Sequence, residues 1–80
     1  MEENSKYRKT IESLKKALTV FPDDARFHFA LAGAYFLDHD YPNAWEYARK
    51  AQALGFPDIE PFLESLREVS EEPAPQKPAT

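Results

Sequence analysis

The chain has 80 residues, 42% of them hydrophobic and 14% aromatic, which suits one small domain and is too apolar for a wholly disordered chain. Its net charge of −4, from 14 acidic and 10 basic residues, lacks the positive footprint that nucleic-acid binding needs. It has no cysteine for a disulfide or zinc–thiolate site, no apolar run near the roughly 18 residues of a membrane span, and no apolar signal core after "MEENSKYRKT". No membrane insertion is expected; the compartment is left open, with the cytoplasm slightly favoured.

The elements follow in chain order. Asn4 to Val20 reads as a helix, because Tyr7, Ile11, Leu14, Leu18 and Phe21 recur on one face with charged residues opposite. Pro22 stops it, and Asp23 or Asp24 caps a second helix that reaches about Leu37. That helix, "ARFHFALAGAYFL", is apolar on two sides. Phe27, Leu31, Ala34 and Tyr35 form one stripe, and Phe29, Gly33 and Phe36 form another. Gly33 costs roughly 1 kcal/mol of helix propensity against alanine, so close approach of another backbone is expected there. A third helix spans about Tyr41 to Leu54, capped by Asp40. Pro42 lies in its first turn, where a missing N–H costs nothing, and Gly55 ends it. Its expected buried stripe is Ala44, Tyr47, Ala48, Ala51 and Leu54. A fourth helix runs from about Asp58 to Val69 with Phe62, Leu66 and Val69 on one face. These elements make one helical domain over residues 4–70. Residues 71–80 hold three of the seven prolines and no apolar periodicity, and read as a disordered proline-rich tail.

The chain also repeats itself. "YRKTIESLKKAL" at Tyr7 aligns with "YPNAWEYARKAQ" at Tyr41 at an offset of 34, pairing Ile11 with Trp45, Leu14 with Ala48 and Ala17 with Ala51. "FPD" at Phe21 returns at Phe56, and the helices that follow match at 35, pairing Phe27 with Phe62, Leu31 with Leu66 and Ala34 with Val69. Two helices per period of this length are the signature of a helix-hairpin solenoid.

The stretch from Ala25 to Pro57 resembles a tetratricopeptide repeat. Leu31, Ala32, Tyr35, Ala44, Ala48 and Ala51 stand at the family's packing positions, with a closing proline near Pro57, and "DYPNAWEYARKA" is the most specific piece. The first helix resembles the second half of a preceding repeat. "EPFLESLREV" looks like the first helix of a following one, or a capping helix. Ala32 stands where the family often has glycine, and His39 takes the common glycine position between the two helices. The resemblance implies an all-α fold of about four helices, arranged as antiparallel hairpins in a right-handed superhelix.

Catalytic chemistry finds no converging set of residues. His39 between Asp38 and Asp40 has metal or acid–base residue types, but neighbours on a turn point different ways and no third ligand follows at useful spacing. The segment reads as a polar turn, and His28 as a packing or rim histidine. Ser5, Ser13, Ser65 and Ser70 lack a nucleophile motif, and two glycines cannot make a phosphate loop. Glu60, Glu64, Glu68 and Glu71 read as a solvated acidic face. No enzyme activity, metal or cofactor is expected.

Binding is the expectation instead. In the family that the chain resembles, the first helices of successive hairpins line a concave surface for an extended peptide or a helix. Carried over, that surface consists of Arg26, Phe29, Gly33, Phe36 and Leu37, with Glu64 and Glu68 alongside. It suits a protein or peptide partner with hydrophobic anchors and a basic residue. With Phe29 and Gly33 on this face, no lysine–asparagine carboxylate clamp is expected. Phe29 and Phe36 are equally open to cover by the chain's own C-terminal segment or by a second copy. A homodimer is therefore the second expectation.

Overall fold

The computed structural model describes residues 6–73. Four helices follow one another: α1 (Arg8–Val20), α2 (Ala25–Leu37), α3 (Tyr41–Ala53) and α4 (Glu60–Val69). The fold is all-α, with no strand among the described residues. Asn4 and Ser5 of the expected first helix lie outside those residues, as do 74–80 of the expected tail. Residues 71–73 are non-helical.

The helix ends follow from local chemistry. Asp24 caps α2 by accepting the Arg26 backbone N–H at 3.0 Å. At the other end of α2, the Asp40 N–H reaches the Tyr35 carbonyl and the His39 N–H reaches that of Phe36. This paired closure places one residue in the left-handed region, and His39 holds it at φ 63°. α3 ends in the same way, with Phe56 donating to Ala51 and Gly55 to Gln52, and here the left-handed residue is glycine, at φ 90°. The glycine-like position of His39 is thus a backbone requirement. Asp40 then caps α3 through the Asn43 N–H, and Pro42 lies in the first turn of that helix.

The core is built on the α2–α3 hairpin. Leu31 and Ala32 of α2 meet Ala44, Ala48 and Ala51 of α3, all five with no exposed surface. Three alanines on one stripe keep α3 thin, so the two backbones close together, and this is the most extensive helix–helix contact in the fold. α1 packs on α2, and α4 packs on α3. The side chain of the buried Tyr35 of α2 is the main influence holding the Lys15 ammonium of α1 above its ordinary pKa. Burial repeats at some of the paired positions: Ile11 and Trp45 are buried, as are Leu31 and Leu66, and Phe27 and Phe62 are both half-buried. By contrast, Leu14 and Ala17 are half-buried against buried Ala48 and Ala51, and Ala34 is buried against exposed Val69.

Three expected stripes shift. On α3, Trp45 joins the alanines, while Tyr47 is half-buried and Leu54 exposed. On α4, Leu63 and Leu66 are buried, Phe62 is half-buried and Val69 is exposed, since among the described residues no further helix covers it. On α1 only Ile11 is fully buried, and Phe21 at its end is exposed.

Two stability measurements check this account. Ala48→Leu adds bulk where α2 and α3 touch, and is expected to lower unfolding free energy by about 1–3 kcal/mol in a urea titration. An unchanged midpoint would show that the hairpin is not closely packed there. His39→Gly removes the left-handed penalty and is expected to add about 0.5–1 kcal/mol. A loss of stability would contradict the strained turn.

Candidate partner-binding face

Arg26, Phe29, Gly33, Phe36 and Leu37 fall within about 100° of the α2 circumference at about 3.6 residues per turn. The core residues of α2 point the other way, so this face looks outward. Arg26 and Leu37 are exposed, and Phe29, Gly33 and Phe36 are half-buried. Ala30 is exposed in the same sector.

Phe29 and Phe36 are partly covered by the chain itself. Phe29 stacks on Phe56 with ring centroids 4.3 Å apart and meets the Phe62 ring edge-on at 5.3 Å. Phe36 meets Phe62 at 5.5 Å and Tyr41 at 5.8 Å. One row of rings therefore joins α2 to α4 and to the loop before it. Offset and edge-to-face contacts of this kind add specific geometry to apolar burial. The row leaves the two phenylalanines half-exposed, as a rigid edge beside the open stripe of Arg26, Ala30, Gly33 and Leu37.

Gly33 departs from expectation. A Cβ placed there would meet nothing within 4 Å, so no other backbone among the described residues approaches it. The residue forms a shallow notch in the middle of the outward face, and the packing within the chain gives no reason for its helix cost.

The polar groups are partly engaged. The Arg26 guanidinium folds back on Asp24 through contacts of 3.0 and 2.8 Å, which hold that carboxyl below its usual range. Glu64 and Glu68 are exposed one turn apart on α4, the helix tied to the aromatic row through Phe62.

The histidines do structural work. His28 is buried, its Nε2–H donates to the Pro22 carbonyl at 2.8 Å, and its ring stacks on Tyr47 at 5.9 Å. Tyr47 stacks in turn on Tyr35 at 5.7 Å. His39 is exposed with its ring edge-on to Tyr41. Among the described residues no group of three or more His, Asp or Glu side chains converges as a metal site would. Among the described residues no helix is long and apolar enough to cross a membrane.

A second feature was not singled out from the sequence. The segment after α4 crosses α3, where Arg49 grips Glu72: Nε donates to Oε2 at 2.6 Å, and a second guanidinium nitrogen donates to Oε1 at 2.5 Å. The guanidinium also lies 5.7 Å from the Trp45 ring centroid. Spacing by one helical turn relates Trp45 to Arg49 and could have flagged that pair. The partner 23 residues away is a tertiary contact with no local signal.

Compared with models of known protein families, with characterised proteins and with solved structures, the chain matches none.

Hydrogen bonds from Arg49 hold the Glu72 carboxyl below its ordinary 4.5. The clasp is therefore fully present above that value and is lost as pH falls through the lower folded pKa. Trp45 is the sole tryptophan. Its emission is expected to show an acid step below pH 4.5 that Glu72→Gln lacks. The same step in both proteins would show that Glu72 does not cause it.

Proposed function

We propose that the chain is a protein-interaction module of tetratricopeptide-like architecture, which takes a peptide or helix of a partner on the outward face of α2 and α4. Gly33 is the observation that carries this reading. A helix accepts roughly 1 kcal/mol of lost propensity at this position, and among the described residues nothing uses the space gained. An approaching partner backbone or side chain does use it. Leu37 and the half-exposed edges of Phe29 and Phe36 supply apolar contact, and Glu64 and Glu68 supply charge for a basic residue. The self-repeat supports the solenoid reading, as does the burial of its paired positions Ile11 and Trp45, and Leu31 and Leu66.

A homodimer through the same face uses the same exposed Leu37. The acidic surface weighs against it, since symmetric pairing brings two chains of net charge −4 together. Sedimentation over a concentration series is expected to show a monomer, and a dimer at micromolar concentration would favour this second reading.

Gly33→Gln tests the face without removing an aromatic that holds the fold. The variant fills the notch, and its thermal midpoint is expected to stay level or rise. The probe is an array of synthetic peptides with two apolar residues four apart and a lysine or arginine. Peptides that bind the natural chain are expected to lose about tenfold or more in affinity, the equivalent of about 1.4 kcal/mol, for Gly33→Gln and for Leu37→Glu. The reading fails if no peptide binds, or if binding is indifferent to both substitutions.

A further inference from the structure

The clasp over α3 forms one wall of a cleft of about 450 Å³, lined by Pro42, Trp45, Arg49, Glu72 and Pro73 among others. That volume lies in the range of small-ligand sites and leaves room beside the chain's own segment. Its walls are apolar at Pro42, Trp45 and Pro73 and polar at Asn43, Glu46, Arg49 and Glu72; Glu46 is paired with Lys50 at 3.3 Å, and Arg49 is the one cation of the lining.

Three features point to what this cleft accepts. Arg49 presents its fork to a carboxylate, the geometry for which a guanidinium is best suited. Its remaining nitrogen is held by the Gln52 side chain at 2.7 Å, and stacking over Trp45 fixes the group further. The carboxylate now in the fork belongs to a segment that leaves α4 in extended conformation at Ser70, with φ −161° and ψ 145°. Trp45 lines the cleft and is only 1% exposed, so its ring is a packed apolar wall.

We propose that this cleft is a second binding site, distinct from the α2 face, for an extended proline-containing peptide segment with a side-chain carboxylate. Glu72 fills the Arg49 fork in cis, and Pro73 forms the wall beside it. A partner segment of the same chemistry displaces Glu72 from Arg49, lies against Pro42 and Trp45, and frees the chain's own strap. The site is thus regulated by competition: the strap acts at an effective concentration on the order of millimolar, and only a partner that exceeds it gains entry.

The test uses the full chain, with Trp45 fluorescence as the readout. The probe is a capped synthetic peptide, Ser-Glu-Glu-Pro-Ala-Pro, which copies the strap, and the control has glutamine in place of its second glutamate. Glu72→Gln empties the fork of its competing carboxylate, and circular dichroism checks that it stays helical. The probe is expected to bind Glu72→Gln saturably and about tenfold or more tighter than the natural chain. The control peptide, and an Arg49→Gln/Glu72→Gln double variant, are expected to lose that binding. The proposal is overturned if Glu72→Gln shows no saturable response. It is equally overturned if the natural chain binds as tightly as Glu72→Gln, or if the control peptide or the double variant binds as well.

Discussion

Ala44, Ala48 and Ala51 let α3 lie directly on α2, and the rest of the structure is arranged around that contact. Side chains of one carbon leave Leu31 and Ala32 nowhere to go but inward, and all five residues are fully buried. Once α2 is fixed by that side, its opposite side is fixed as well. Arg26, Ala30, Gly33 and Leu37 are turned outward because Leu31, Ala32 and Tyr35 are turned inward. The candidate binding face is therefore a consequence of the alanine contact and does not need its own scaffold.

The aromatic residues divide into two groups with different work. His28, Tyr47 and Tyr35 stack in one line. Phe29, Phe56, Phe62, Phe36 and Tyr41 form the other, which ties α4 and its loop to α2. The second group is only half-buried, so the joint of the fold is also part of its surface. A partner resting there meets rings already held by one another, and little side-chain freedom is lost on contact. Deleting Phe29 would confuse folding with binding, whereas altering Gly33 or Leu37 separates the two.

Much of this was legible in the sequence, and the failures have physical reasons. The caps Asp24 and Asp40, the tolerated Pro42 and the terminating Gly55 depend on nearest neighbours, so they could be read locally. The 34- and 35-residue offsets located the helices, and the burial of Ile11 with Trp45 and of Leu31 with Leu66 follows them, while Ala34 and Val69 part because Val69 has no covering helix among the described residues. The α4 stripe was misjudged at Val69 because periodicity names a face and does not say which end of it is covered. Trp45 was passed over in the stripe beside a run of alanines, although its repeat equivalent, Ile11, is buried too. For Gly33, a small residue in a helix signals nearby space and not what fills it. The Arg49–Glu72 clasp joins positions 23 residues apart, and such pairing is set by tertiary geometry alone.

The account rests on the outward side of α2 being the surface that meets a partner. Backbone amide shifts, recorded while a bound basic amphipathic peptide is titrated into the labelled chain, test this most directly. The account predicts that the largest changes cluster at Arg26, Ala30, Gly33 and Leu37, and extend to Glu64 and Glu68 on α4. Changes confined to α1 or α3, with the Gly33 amide unmoved, would contradict it.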